Sequence, residues 1–174
     1  MGHRATERPF QFCSMISEYK KTDTSKILHI INEASLKYKG VIPDDCWNEP
    51  YMSGKELIAE FNDGVRMYGY HQNDTLVGVI GVQKVKEVIL IRHAYTLSSY
   101  QGKGVGSVLL EYLLKKNKNS RLLVGTWRSA KWAIDFYKKF GFIIHTTEQS
   151  KLLLKKYWTI SSKQIENSVV LERH

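Results

Sequence analysis

Residues 100 to 107 of the chain read Tyr100-Gln101-Gly102-Lys103-Gly104-Val105-Gly106-Ser107, between a β-rich run, Val88 to Leu97, and an amphipathic run, Val105 to Lys116. A strand, a glycine turn and a helix N-terminus together make an anion cradle, because the unpaired first N–H groups and the positive end of the helix dipole face the turn. Glycine at alternate positions lets backbone approach a phosphate closely and permits positive φ where the chain folds back. The guest this predicts is a phosphate or pyrophosphate. The alternative is an ordinary glycine turn between two elements.

Spacing narrows the choice. No Lys-Ser or Lys-Thr follows a first glycine at the interval of the nucleotide-triphosphate loop, and the glycines run G-x-G-x-G where a dinucleotide fingerprint needs G-x-G-x-x-G. A dinucleotide fold also wants an acid at the end of the next strand, and Leu122-Leu123-Val124-Gly125-Thr126 has none. Upstream of the loop, Arg92 and His93 are neighbours in a strand, which sends them to opposite faces and lets only one line a cleft directly. His93 is a base by its ordinary pKa or a structural histidine. Arg92 cannot act as a base; it implies either a carboxylate or phosphate on a substrate or an acid on a neighbouring element.

Gln101, Gly104 and Gly106 satisfy the pattern Gln/Arg-x-x-Gly-x-Gly/Ala, which resembles the coenzyme A pyrophosphate loop of the GNAT N-acetyltransferase superfamily. Farther on, Ala133-Ile134-Asp135-Phe136-Tyr137-Lys138-Lys139-Phe140-Gly141-Phe142 resembles that family's last core helix, "A-x-x-F-Y-x-x-x-G-F". Two motifs in this order are more specific than either alone. The resemblance implies direct acetyl transfer from acetyl-coenzyme A to an amine, with no covalent enzyme intermediate and no metal. Ala94, Tyr95 and Thr96 would offer backbone groups to the pantetheine arm and acetyl carbonyl, and Gly102 to Ser107, with Lys103 and Val105, would wrap the pyrophosphate. Tyr137 stands at the family's tyrosine, the general acid that protonates the departing sulfur; by its place on an apolar stripe alone it would be a core tyrosine.

Two departures from the family pattern matter. Ala130 stands where many members carry an asparagine that contacts pantetheine, which leaves that contact absent or made by Ser129 or Arg128. Leu90 and Gly125 stand where some members place a glutamate base on the fourth or fifth strand. The base is therefore open between His93 and Glu49. The segment Val41 to Met52 corresponds to the region flanking the family's acceptor site, so Trp47, Glu49 and Tyr51, with Arg92, are candidates to touch substrate. The same aromatics could equally brace a proline-rich loop against the core. Asp44, Asp45 and Glu49 put three carboxylates beside the expected amine entrance, and Glu49 is the best placed to take a proton.

The elements that must position these groups follow from periodicity. Ile27, Ile30, Ile31 and Ala34 mark a helix from Thr24 closing near Gly40, and Ser53-Gly54-Lys55-Glu56 is a capping box opening a second helix with Leu57, Ile58 and Phe61. Val65 to Tyr70, Leu76 to Val82 and Val88 to Leu97 read as an antiparallel meander with turns at Asn73-Asp74 and Lys84 to Lys86. The loop then starts a helix with Val105, Val108, Leu109, Tyr112 and Leu113 inward, followed by a strand, Leu122 to Thr126, and a helix with Trp132, Ala133, Phe136, Tyr137 and Phe140 inward. That succession demands one parallel neighbour in an otherwise antiparallel sheet. Strands at Phe142 to His145 and Ser168 to Leu171 complete the order, with a leucine-rich run at Leu152 to Leu154 left unassigned. The fold class expected is α/β of the α+β kind: a GNAT-like mixed, mostly antiparallel sheet of about six to seven strands flanked by helices on both faces. Residues 1–15 are expected to be a flexible leader, and 16–174 one domain.

Composition sets outer bounds. The 174 residues are 43% hydrophobic, which suits one globular core. No apolar run reaches the roughly 20 residues of a membrane span, and Cys13 and Cys46 are too few for a disulfide framework, which makes a reducing cytoplasm the simplest compartment. Met1-Gly2 with Thr6 formally matches a myristoylation pattern but has no second anchoring signal, so no membrane partner is expected. The net charge of +9 favours a polyanionic ligand, yet the lysines are dispersed and not interleaved with stacking aromatics, so nucleic acid is not expected as a partner. A homodimer is left open. Three readings result: an N-acetyltransferase acting on a small-molecule or protein amine, a catalytically silent acyl-coenzyme A binding module, and, on charge alone, a nucleic-acid binder.

Overall fold

The computed structural model describes residues 15–174. The expected leader, apart from Met15, lies outside the described residues. Strands β1 (Ile16–Tyr19), β2 (Arg66–Gln72), β3 (Thr75–Val85), β4 (Val88–Thr96), β5 (Leu122–Trp127), β6 (Ile143–Ile144) and β7 (Ser168–Arg173) form one seven-stranded sheet in the order β1-β2-β3-β4-β5-β7-β6. Asn73 and Asp74 both adopt positive φ, the geometry of the tight turn that joins β2 to β3. Every pairing is antiparallel except β4 with β5. That parallel pairing lasts for three residue pairs, Ile89↔Leu122, Leu90↔Leu123 and Ile91↔Val124. Beyond Ile91 and Val124 the two strands part.

The period-2 alternation of the strands supplies two apolar faces. One carries Tyr68, Tyr70, Ile91, Leu122, Val124, Val169 and Leu171, packed with helices α3 (Val105–Lys116) and α4 (Lys131–Lys139). The other carries Met67 and Val79 under helices α1 (Thr24–Ala34) and α2 (Gly54–Asn62), and Val88, Leu90, Leu123 and Val170 under α5 (Thr147–Tyr157) and α6 (Ser162–Glu166). Helices thus cover both faces, as expected. Gly78 is where α3 meets the sheet: a Cβ there would lie 2.6 Å from Val105 Cγ1, so only glycine admits the helix N-terminus this close to β3.

Ser53 and Glu56 close the expected capping box on α2, with Ser53 N–H donating to Glu56 Oε2 at 2.7 Å and Glu56 N–H to Ser53 Oγ at 3.2 Å. Three differences from the sequence reading concern the ends of the chain. β1 is an additional edge strand on β2, too short for its period to be seen. The expected strand at Phe142 to His145 contracts to the two-residue edge β6, because the capping box of Thr146 and Gln149 starts α5 immediately after it. The leucine-rich run at Leu152 to Leu154 belongs to α5, whose Leu154 is buried against the sheet while Leu152 is exposed.

Candidate active site

The parting of β4 from β5 opens two cavities at one point of the sheet. The first, of about 380 Å³, lies on the α3 and α4 side; Ala94, Tyr95, Thr96, Gln101, Gly102, Gly104, Val105, Gly106 and Ser107 line it, together with Phe136 and Tyr137 of α4. This is every residue of the predicted cofactor loop and strand end except Lys103, whose ammonium sits 5.3 Å over the Tyr100 ring. The entry to the loop is tied down by two hydrogen bonds. Gln101 Nε2 donates to the Thr96 carbonyl at 3.1 Å, and the Ser98 N–H donates to the Glu33 carboxylate of α1 at 3.0 Å.

The start of α3 is built for an anion. Gly104 is its N-cap with φ 85°, a left-handed conformation that a branched residue resists, and no side chain caps the first turn. A Cβ at Gly104 would meet no protein atom within 4 Å, so the space in front of those N–H groups is open to a guest. Free first-turn amides and the helix dipole fit a phosphate or pyrophosphate.

Tyr137 is 5% exposed, edge-on to Phe136 and Phe142 at ring separations of 5.2 and 5.5 Å. Burial, with the neighbouring Tyr38 phenol, pushes its pKa well above the usual tyrosine value. A phenol held neutral is a proton donor and not a base.

The second cavity, of about 170 Å³, lies on the α5 side of the same split and is lined by Ile91, Arg92 and His93 of β4, Gly125, Thr126 and Trp127 of β5, and by Tyr38, Tyr51, Tyr95, Leu154 and Trp158, among others. Tyr38 and Tyr95 line both cavities. They sit in an aromatic cluster: Tyr38 stacks on Tyr51 with centroids 5.8 Å apart and meets Tyr95 edge-on at 6.4 Å. Trp127 Nε1 donates to the Tyr51 hydroxyl at 3.1 Å. Burial drives the pKa of Tyr38, Tyr51 and Tyr95 upward, so all three phenols stay uncharged at neutral pH.

Arg92 and His93 do not diverge as strand alternation predicts. Ile80 of β3 faces two residues of β4, because Val79 pairs with Tyr95 and Gly81 with Arg92, and within this bulge His93 has φ 51°. The left-handed residue turns its side chain back toward that of its neighbour, so both line the same cavity and both reach one carboxylate. Arg92 Nη2 donates to Glu60 Oε1 at 2.9 Å, and His93 Nε2 is hydrogen-bonded to Glu60 Oε2. Arg92 Nη1 also donates to Gln83 Oε1 at 2.7 Å. Burial would raise the pKa of Glu60, but the hydrogen bond and charge of His93 and the Arg92 guanidinium outweigh it and hold the carboxyl below its usual range.

The acceptor candidates separate. Tyr51 and Arg92 are in the second cavity wall; Trp47 packs behind Tyr51 with centroids 5.6 Å apart; Glu49 is on the surface, bonded to Lys39 Nζ at 2.6 Å and Trp47 Nε1 at 3.1 Å. Those partners lower the Glu49 pKa, Lys39 foremost. The loop carrying Trp47 to Tyr51 is stapled to α1 by Asn32, which exchanges hydrogen bonds with the Met52 backbone at 2.8 and 3.0 Å, and to α6 by the Lys163–Asp45 ion pair. At the start of α4, Ala130 is fully buried, and neither Ser129 nor Arg128 lines the first cavity. Glu60, Trp158 and Tyr38 are the site residues that sequence reasoning passed over. Glu60 lies one helical turn from the buried Leu57 and so on the inward side of α2, and a carboxylate on that side is the local signal that could have found it.

The acetyltransferase (GNAT) domain family matches residues 31–154, a stretch that contains the lining of the first cavity and most of that of the second. The chain therefore belongs to the GNAT acetyltransferase family. Among solved structures it is similar to the PaiA N-acetyltransferase of Thermoplasma acidophilum in complex with coenzyme A, at 19% identity and a TM-score of 0.65, covering 91% of this chain and 98% of that one. It is also similar to a GNAT-family acetyltransferase of Staphylococcus aureus Mu50, at 16% identity and a TM-score of 0.68 over 91% and 96% of the two chains. The ribosomal-protein-S18-alanine N-acetyltransferase of Escherichia coli matches at 20% identity with a TM-score of 0.63, over 90% of each chain. At these identities the likeness is one of fold. A comparison with curated protein sequences gives no match.

Proposed function

We propose that this chain is an N-acetyltransferase that moves the acetyl group of acetyl-coenzyme A directly to an amine of a small molecule or a protein. The observation that carries the reading is the pair of cavities that meet at the β4–β5 split with Tyr38 and Tyr95 in both walls, so a thioester laid in one and an amine entering by the other converge on the same point. Acetyl-coenzyme A supplies an activated carbonyl and a thiolate leaving group. The protein's part is to place, polarise and exchange protons.

The N–H groups at the start of α3 and the turn Gly102 to Ser107 bind the pyrophosphate, and the backbone of Ala94, Tyr95 and Thr96 lies beside the pantetheine arm. Thr96 gives its carbonyl to Gln101, so the end of β4 is held as a rigid guide. The Tyr137 hydroxyl, neutral and in the wall of the first cavity, donates its proton to the sulfur as the C–S bond breaks. On the far side the amine must be uncharged to attack, and His93 is the group in the second cavity wall with a nitrogen lone pair available to a proton. The phenols of Tyr38, Tyr51 and Tyr95 keep the meeting point dry. The reaction belongs in the cytoplasm, where acetyl-coenzyme A is available; among the described residues no helix is long and apolar enough to cross a membrane.

The test is thiol release from acetyl-coenzyme A across a panel of primary amines and amino-terminal peptides. Amine-dependent release with a mass gain of one acetyl group on the acceptor is expected. Tight coenzyme A binding with no release from any acceptor would make the chain a silent binding module instead.

A further inference from the structure

The reading of the second cavity as the amine site leaves the base without an oriented nitrogen, and one group outside the cavity wall supplies the orientation. Glu60 comes from α2, some thirty residues before β4, yet its two carboxylate oxygens are divided between Arg92 and His93. All three side chains are largely shielded: His93 is 12% exposed, Arg92 20% and Glu60 21%. Arg92 is itself fixed from the other side by Gln83, whose Nε2 donates to the Asp63 carbonyl at 3.1 Å. The result is a chain of hydrogen bonds, Gln83 to Arg92 to Glu60 to His93, crossing β3, β4 and the C-terminal half of α2.

A left-handed conformation at a non-glycine residue is strained and persists only where the surrounding structure holds it. At His93 that conformation is what brings the imidazole to Glu60 in place of the opposite face of the sheet. The strained backbone and the carboxylate therefore have one shared consequence, a single ring orientation. An ionised carboxylate can only accept, so its hydrogen bond to Nε2 requires the proton of a neutral His93 to be on Nε2. The lone pair is then on Nδ1, for which the described residues offer no hydrogen-bond partner.

We infer that Glu60 is a positioning residue for acetyl transfer: held ionised by Arg92, it fixes His93 in the Nε2–H tautomer and so presents Nδ1 as the general base of the amine cavity. This rests on the proposed transfer reading. The proton balance closes without further reagents. One proton of the attacking amine passes to Nδ1 as the nitrogen–carbon bond forms; the carbon–sulfur bond breaks, and the thiolate takes the Tyr137 proton. His93 then returns its proton to solvent and Tyr137 regains one from it. An acceptor that arrives as an ammonium loses its extra proton to solvent first.

The test uses the full chain saturated with coenzyme A, labelled with ¹⁵N at histidine, so that tautomers are read without an acceptor. Wild-type His93 is expected as the Nε2–H form, with Nδ1 carrying the shift of an unprotonated ring nitrogen. Glu60→Gln, whose amide can donate or accept, should give a mixture of tautomers. In turnover with the amine panel, Glu60→Gln should lower kcat roughly tenfold or more, with the KM for acetyl-coenzyme A unchanged. Glu60→Asp, which keeps the charge, should recover part of that loss, and Glu60→Gln should remove nothing further in a His93→Gln background. A wild-type His93 protonated on Nδ1 would overturn the assignment even if acetyl transfer is observed and even if Glu60→Gln fails to fold. A single retained Nε2–H tautomer in folded Glu60→Gln would do the same. Absence of turnover by the wild type with the expected tautomer would instead overturn the transfer reading, and with it any role for a base.

Discussion

The two cavities that flank the end of β4 are built from different materials. The first is largely a backbone site: a glycine turn, the uncapped start of α3 and a strand end tied down by Gln101 and Glu33. The groups it would offer a phosphate are main-chain N–H, so their directions follow once the turn and helix form. The second is a side-chain site. Its wall is drawn from β4, β5, α5 and the loops around Tyr38 and Tyr51, and its polar centre is a three-residue cluster whose members are joined only by the fold. A backbone site tolerates change in most side chains around it and recognises a constant ligand. A side-chain site can be altered one residue at a time, which suits the role of amine cavity in the proposed transfer.

The sharpest break of that comparison would come at Tyr137, the one side chain on the donor side assigned a chemical step. Tyr137→Phe keeps the ring and its contacts with Phe136 and Phe142 while deleting the proton, so kcat should fall roughly 10²-fold or more with coenzyme A affinity nearly retained. Equal turnover by the variant would return Tyr137 to the core and make the donor cavity a binding site only. Gly104→Val comes next. It places a branched residue at φ 85° and a side chain in the open space before α3, and should weaken coenzyme A roughly tenfold or more, seen as loss of most of the ligand-induced rise in melting temperature. A folded variant that binds as before would show that the site is not made by the backbone turn.

This division also explains what was readable in the chain. The first cavity is largely contiguous in sequence: residues from Tyr100 to Ser107 and the Phe136-Tyr137 helix carry it, and the residues that local pattern singled out as a cofactor loop line it, all but the displaced Lys103. The meander, the parallel crossover and both core helices were readable for the same reason, since each buries a periodic face. On the acceptor side, local rules misled. Alternation put Arg92 and His93 on opposite faces, and only the unpaired residue in β4 opposite Ile80, invisible without the partner strand, reverses that. Glu60 was marked only as a carboxylate one turn from the buried Leu57; its partners, two side chains arriving from another element, cannot be read locally. Glu49 attracted notice as one of three carboxylates in the segment that the resemblance sets beside an acceptor, held between Asn48 and Pro50, whereas its side chain faces Lys39 and solvent.

Acid should separate the two cavities further. Glu60 titrates below the ordinary carboxylate range, so the stability it lends by pairing with Arg92 and His93 is fully present above the pKa of an unfolded glutamate and is lost as pH falls through its depressed native value. Glu60→Gln should therefore melt a few degrees below the wild type at neutral pH, with the gap closing as the solution becomes more acidic than about pH 4.5. Coenzyme A binding measured in parallel should differ little between the two proteins wherever both are folded. A gap independent of pH would mean that Glu60 contributes by packing and not by its charge.

The smallest effect is expected at Glu49, and it is the one that separates two acids close in sequence, one exposed on the surface and one shielded against Arg92 and His93. Glu49 has a side chain 56% exposed, paired with a Lys39 that is 61% exposed, and water and salt screen most of the attraction in an ion pair of that kind. It lies in neither cavity wall, and a carboxylate whose pKa is lowered by Lys39 is a weaker base than a free one. Glu49→Gln should leave kcat unchanged and raise the KM for a cationic acceptor by less than roughly threefold, through loss of a long-range attraction that added salt would also remove. The KM for acetyl-coenzyme A should not move. A fall in kcat on the scale expected for Glu60→Gln would transfer the proton-accepting role to the surface loop, and would mean that the loop carrying Trp47 to Tyr51 closes over the amine during turnover.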